Sequence, residues 1–302
     1  MYKYCFILFL SLASISTRSN TIAQEQFDGA IPEITVSTIS SVNEGNSYIT
    51  FPTDIGNLEP LWFEANLNPS FHIRQNKDSR LMGVLTPQII FRMYQEPSFP
   101  IRTPSFIPQV TVYYKLLSKT EANSLSITGK FAHHSNGQDG EFYLDNGDIN
   151  IHNGSFATNF FEMGVIKTNY NNRLRAAQFF GTSLEIHTKG LSNNELDGIY
   201  GFYRWNTSFS IFRLPEESTE KKKRASISIK GKTSWIFGEL NDWSTFNINR
   251  LNLSFTFYYH PKFLEEIGFF AQFYHGMDYY NIYFDHQVTV LRFGIMTEKL
   301  RF

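Results

Sequence analysis

Apolar and polar side chains alternate with a period of two through most of this chain. Val110, Val112, Tyr114 and Leu116 interleave with Gln109, Thr111, Tyr113 and Lys115. Ala225, Ile227, Ile229 and Gly231 interleave with Ser226, Ser228, Lys230 and Lys232. Leu251, Leu253, Phe255, Phe257 and Tyr259 interleave with Asn252, Ser254, Thr256 and Tyr258. Successive side chains of a strand point to opposite faces, so each run predicts a β-strand with one apolar and one more polar face. Many runs exceed the mean soluble strand of about five or six residues. They approach the roughly nine to eleven that a tilted strand needs to cross a hydrocarbon layer. Turn-forming clusters separate them at Asn169-Tyr170-Asn171-Asn172, Leu214-Pro215-Glu216-Glu217 and His260-Pro261-Lys262. The pattern predicts an all-β fold: an antiparallel transmembrane β-barrel over residues 59–302. Single-chain bacterial barrels favour an even strand count, and about twelve fits here. The last amphipathic strand carries Leu291, Phe293 and Ile295, and the chain ends on Phe302.

Composition sharpens this reading. Aromatic residues make up 17% of the chain, with 30 Phe and 16 Tyr, yet the mean hydropathy is only −0.27. A greasy outer wall around a wet interior has this balance. A soluble β-sandwich could share the composition, but it would expose long aromatic stripes, which soluble monomers avoid. Lys3, the apolar run Tyr4 to Ala13 and the small-residue site Thr21-Ile22-Ala23 read as a secretory signal peptide over residues 1–23. The run is too short to span a bilayer as a helix, which takes about 20 residues. Cys5 lies inside it and is the only cysteine, so a mature chain has neither disulfide nor cysteine nucleophile. Residues 24–58 form a polar segment, expected outside the barrel or plugging it. The net charge of −1 supplies no field to recruit nucleic acid. The Lys221–Arg224 run reads as a solvated strand end.

One strand carries candidate chemistry. Leu125, Ile127, Gly129, Phe131, His133 and Ser135 share a face, and that apolar stripe ends in two polar side chains. Polar groups at the end of a lipid-facing stripe call for a reason. A serine nucleophile needs a base beside it, and the base needs a third group to orient it. On the next strand Asn159 shares an apolar face with Ala157, Phe161, Met163 and Val165. Its side-chain oxygen can accept a hydrogen bond from an imidazole N–H without adding a buried charge. A plainer reading stands beside this one, because Ser135-Asn136-Gly137 also contains an Asn-Gly turn signal.

His133-His134-Ser135-Asn136-Gly137 resembles the His-x-Ser-Asn-Gly motif of bacterial outer-membrane phospholipase A. Ser98-Phe99-Pro100-Ile101-Arg102 with Phe106-Ile107-Pro108-Gln109 resembles that family's Ser-x-Pro-x-Arg segment and the motif after it. Ser155 to Asn159 matches its Ser-x-x-x-Asn spacing. His275-Gly276 to Asp285, then Phe293-Gly294-Ile295-Met296, looks like its closing hairpin. The resemblance implies a phospholipase acting on membrane phospholipids in the outer membrane, with Ser135 as nucleophile, His133 as general base and Asn159 as orienting group. It implies calcium, with the Gln138 carbonyl and the Ser155 hydroxyl as ligands. It also implies a homodimer in which a partner serine completes the metal site. Ser98 lies in the matching segment, beside Phe99.

The interval from Ser135 to Asn159 is longer than the family's. The extra stretch around Asp139 to Asn153 includes Asp139, Asp145 and Asp148, and its Asn, Asp and Gly residues suit a solvated loop. Extra carboxylates for the metal are the other possibility. His134 faces away from Ser135, toward the lumen or rim. The alternative to an enzyme is a catalytically silent or passive outer-membrane barrel, a pore or structural protein. Such a barrel would carry its functional polar groups inside, where solutes pass.

Overall fold

In the computed structural model the described residues are 32–302, without 52, 53, 77, 99, 216–223, 298, 299 and 301. The expected signal peptide, Phe99 and most of the Lys221–Arg224 run lie outside them. Thirteen strands join one antiparallel sheet: β1 (Tyr48–Thr50), β2 (Leu61–Leu67), β3 (Phe71–Ile73), β4 (Leu81–Tyr94), β5 (Ser105–Ser118), β6 (Ser124–Ser135), β7 (Ala157–Asn171), β8 (Ala176–His187), β9 (Tyr203–Arg213), β10 (Ile227–Phe237), β11 (Leu251–Tyr259), β12 (Ile267–Met277) and β13 (Gln287–Thr297). Each strand from β4 to β13 pairs with the next. The ring closes because β13 pairs with β1, β1 with β2 and β2 with β4. Twelve strands form the ring. The short β3 lies on the same edge of β4 as β2, opposite Gly83 to Leu85, and is the extra one.

The alternation read from the sequence becomes two faces. Val110, Val112, Phe131, Phe255 and Phe257 point outward, each about 40–45% exposed, while Gln109, Thr111, Tyr113 and Thr256 are buried inside. An apolar band of this extent wrapped around a closed sheet matches a lipid-facing wall. No helix among the described residues is long and apolar enough to cross a membrane. Long connections (residues 95–104, 136–156, 188–202, 238–250 and 278–286) gather at one end, and short turns such as 172–175 at the other.

Both ends of the lumen are filled. At the turn end sits a helix, α1 (Val36–Glu44), capped by the Thr35 side chain, which accepts from Thr38 N–H at 3.2 Å. Its Val36, Ile39 and Val42 pack against Met82, Val84, Tyr113 and Phe179 of the wall and against Phe302. The Lys230 Nζ donates to the Val42 carbonyl at 2.9 Å, and the Tyr113 hydroxyl donates to Glu44 at 2.6 Å. At the loop end Phe142, Phe156, Tyr200, Phe202, Tyr280 and Phe284 form an aromatic cluster. Between the two lies a cavity of about 450 Å³, lined by groups that include Lys130, Glu162, Glu185 and Arg204.

The polar 24–58 stretch thus contributes more than the sequence pattern suggests, because β1 lies within it and bridges β13 to β2. Three residues are too few to display a two-residue period, so this strand had no legible signature. The seam it closes is pinned by a buried ion network. Arg92 donates to Glu64 at 2.8 Å and to both Asp278 oxygens at 2.7 and 2.8 Å. Arg292 meets Asp54 at 3.0 Å and Glu64 at 3.3 Å.

The outward placement of Phe255 at the middle of β11 generates a stability test. Phe255→Arg should lower unfolding free energy in lipid vesicles by about 2–4 kcal/mol, the cost of a cation near a bilayer midplane. The comparison is Lys262→Arg, at an exposed turn, which should change little; denaturant titration in vesicles measures both.

Candidate active site

β6 and β7 pair in full register, and this sets His133 directly opposite Asn159, with Ser135 opposite Ala157. His133 and Ser135 fall on the same face of β6 as the outward Phe131. The His133 Nδ1 lies 3.0 Å from Asn159 Oδ1. The other end of that amide decides its orientation: Asn159 Nδ2 donates to the Leu191 carbonyl. The Oδ1 is therefore the atom facing His133, so Nδ1–H donates to it and Nε2 is left to accept a proton. Among the described residues no hydrogen bond joins the Ser135 hydroxyl to His133. Alternate side chains on one strand stand side by side, and such pairs are often loose until substrate tightens them.

The neighbouring His134 is buried and points inward, its ring edge-on to Phe156 at 5.0 Å. Two adjacent histidines thus have opposite surroundings, the direct result of strand alternation.

Asn136 is the hub of the segment that follows Ser135. It is 1% exposed. Its Nδ2 donates to the Gly154 carbonyl at 2.7 Å, while its Oδ1 accepts from Phe156 N–H at 2.9 Å and Gln138 N–H at 3.3 Å. Its own N–H donates to the Phe156 carbonyl at 3.1 Å. The Asn-Gly pair therefore opens a long loop and does not close a hairpin. Gly137 adopts φ +66°, and a Cβ there would come within 3.3 Å of the Phe106 ring. The amides of Asn136 and Gln138 are engaged; among the described residues the Gly137 N–H makes no hydrogen bond. The sequence offered Asn136 as a turn residue and as part of the His-x-Ser-Asn-Gly resemblance, but gave it no anchoring role.

Gln138 and Ser155 lie on either side of this hub. The Ser155 N–H donates to the Gly140 carbonyl at 2.9 Å. Neither the Gln138 carbonyl nor the Ser155 hydroxyl is taken by another group among the described residues. These are hard oxygen donors of the kind calcium accepts. Ser98 is exposed in the turn after β4 with φ 72°, and among the described residues no hydrogen bond joins it to this pair.

The extra stretch between Ser135 and Asn159 is an ordered cap. Tyr143 bridges to Ile149, Gly140 to Gly154, and Phe142 reaches down into the aromatic cluster. Asp139, Asp145 and Asp148 are exposed, and Asp148 accepts from Asn146 Nδ2 at 2.7 Å. No group of three or more His, Cys, Asp or Glu side chains among the described residues is arranged to hold a metal. The loop thus does not gather its carboxylates into a metal cluster. His152 meets Arg102 at 3.1 Å, and Arg102 also pairs with Glu59 and Glu96.

The sequence matches no protein-family model and no curated protein. The fold has known counterparts. Outer membrane phospholipase A from Escherichia coli superposes with a TM-score of 0.60 at 12% identity, over 88% of this chain and 99% of that one. An active-site mutant of the same enzyme gives 0.58 at 12% identity, over 91% and 95%. The Salmonella typhi outer membrane phospholipase, a dimer with bound calcium, gives 0.59 at 11% identity, over 90% and 100%. The chain therefore has the fold of these barrels, and a barrel of this build fits a bacterial outer membrane.

The Asn136 hub yields a prediction. Asn136→Ala removes three side-chain hydrogen bonds at a buried site and should cost about 1–3 kcal/mol, since buried partners are left unpaired. Hydrogen exchange should rise over residues 137–156, with strand amides of β6 and β7 still protected.

Proposed function

We propose that this protein is a calcium-dependent outer-membrane phospholipase A, cleaving acyl ester bonds of membrane phospholipids with Ser135, His133 and Asn159. The observation that carries the reading is the His133–Asn159 hydrogen bond on the outer wall, with Ser135 two residues along the same face. An imidazole whose tautomer is held by a neutral amide has its free nitrogen ready to accept a proton. The likeness of fold to the two bacterial phospholipases supports the same reading.

In this mechanism the Ser135 Oγ attacks the ester carbonyl carbon as its proton passes to His133 Nε2. Asn159 holds the ring and accepts from Nδ1–H throughout. The Gly137 N–H, unengaged among the described residues, is the candidate donor to the developing oxyanion. The adduct collapses, the bond to the glycerol oxygen breaks, and His133 returns its proton to that oxygen, releasing lysophospholipid. Water repeats the sequence on the acyl-serine: its proton goes to His133 and its oxygen to the acyl carbon, the bond from that carbon to Ser135 Oγ breaks, and His133 returns the proton to Oγ as fatty acid leaves. Gln138 and Ser155 would hold calcium, which when bound supplies positive charge beside the reacting carbonyl. Ser98 is the candidate ligand from a partner subunit in a homodimer. A site on the outer wall near the rim meets esters where they already lie, at the boundary of head group and hydrocarbon.

Plugs at both ends of the lumen do not suit the alternative of an open pore. A silent barrel is distinguished by assay. In detergent with calcium the protein should release fatty acid from phospholipid. Ser135→Ala should reduce that rate by about 10³-fold or more, as loss of a nucleophile does in triad hydrolases, and Asn159→Ala should cost less. A Ser135→Ala protein that folds and hydrolyses at the parental rate would sink the proposal.

Calcium generates a separate prediction. Excess chelator should abolish fatty-acid release while the β-sheet circular dichroism signal is unchanged. Full activity in chelator would remove the metal from the mechanism and leave Gln138 and Ser155 without that role.

A further inference from the structure

Behind Asn159, on the inner face of the wall, lies a second hydroxyl–imidazole–carboxylate set. Thr158 Oγ1 is 2.9 Å from His187 Nδ1, and His187 Nε2 is 2.7 Å from Glu185. Thr158 is fully buried, with no exposed surface, and the His187 ring is covered by Phe160 and Tyr200 at 4.9 and 5.0 Å. No substrate reaches this hydroxyl, so the arrangement holds something in place.

What it holds follows from counting protons. Ser192 Oγ donates its only hydrogen to the Thr188 carbonyl at 2.8 Å. Its 2.9 Å contact with Thr158 Oγ1 must therefore be an accepted bond, with Thr158 donating. Thr158 has then spent its hydrogen, so it accepts from His187 Nδ1–H. The chain of bonds has one direction: His187 to Thr158 to Ser192 to the Thr188 carbonyl. Either protonation form of His187 with a hydrogen on Nδ1 supports it. Arg204, 2.9 Å from His187 Nε2 and 2.8 Å from Glu185, stands at its root.

The far end of this chain reaches the catalytic asparagine. The Thr188 N–H and hydroxyl both donate to the Asn159 carbonyl, at 2.9 and 3.1 Å. The Leu191 carbonyl accepts from the Asn159 side-chain Nδ2. The Asn193 N–H donates to the Ala157 carbonyl at 2.9 Å. Residues 188–193 thus clasp the end of β7 from outside, and one hydroxyl relay through the wall fastens the clasp from inside.

We propose that the rim segment Thr188–Asn193, tethered from the lumen through Thr158 and Ser192, sets the Asn159 amide against His133, so that Thr158 and Ser192 are positioning residues for ester hydrolysis. As to activity this rests on the hydrolase reading above; the tether itself does not. Without the clasp the Asn159 amide loses the partner that fixes which of its ends faces His133. A flipped amide would present Nδ2–H to the imidazole, demand the other tautomer, and cost Ser135 its base.

The test uses the full chain in detergent with calcium and phospholipid micelles. Thr158→Val keeps shape and removes the hydroxyl. Loss of one hydrogen bond of this kind should lower kcat about three- to tenfold with KM unchanged. Thr158→Ser should restore kcat. In an Asn159→Ala background Thr158→Val should have no further effect, because the group it positions is gone. Ser192→Ala, on the rim, should repeat the pattern if Thr158→Val folds poorly. Hydrogen exchange at the Thr188 and Asn193 amides should accelerate in both variants. A parental kcat in Thr158→Val and Ser192→Ala, or a loss that adds fully to that of Asn159→Ala, would overturn the proposal. If the parent protein hydrolyses nothing, the enzymatic reading fails by itself. Exchange then decides the tether: unchanged protection at Thr188 and Asn193 overturns it.

Discussion

A strand that faces lipid can leave no backbone N–H or C=O unpaired, because hydrocarbon offers no substitute partner. Closure of the sheet follows from that constraint, and most other features follow from closure. The last strand must find the first, so a segment as short as Tyr48–Thr50 is recruited to join β13 to β2. The seam there is held by Arg92 and Arg292 against Glu64, Asp278 and Asp54. Removing one member of such a buried network leaves charge uncompensated, which is why charges of both signs occur together in it.

Closure also divides every strand into a wet and a greasy side, and the candidate site is an exception to that division. Ser135, His133 and Asn159 are polar side chains on the greasy side. They sit at the strand ends, where the outer wall meets the rim, and neighbours from the loop end hold them. Asn136 anchors the segment after the serine, and Leu191 and Thr188 grip the asparagine. The site is thus supported by the long loops on a stiff wall, a division of labour that lets loops vary in length while strand register is kept. The longer cap at 139–153 fits this view, since it folds onto itself and inserts Phe142 into the aromatic plug without disturbing the β6–β7 register.

Much of this was legible in the sequence because a strand's side-chain period is two and independent of its neighbours. The outward Val110, Val112, Phe255 and Phe257, the opposed faces of His133 and His134, and the shared face of His133 and Ser135 all follow from counting along one strand. The resemblance to outer-membrane phospholipases drew on the same local residues, and the likeness of fold agrees with it.

Tertiary structure alone decided the rest. Alternation says which way a side chain points but not what stands opposite, so the pairing of His133 with Asn159 depended on β6–β7 register. The tautomer of His133 is set by an amide whose other end is held 32 residues away, by Leu191. The hub role of Asn136, the helix inside the lumen, and the relay from His187 to Ser192 have no periodic signature. The hub and the relay are sets of hydrogen bonds, most of them between segments distant in the chain, and the helix is held by packing against the wall. A local pattern carries direction, whereas a partner exists only once the ring has closed and brought distant segments within hydrogen-bond reach.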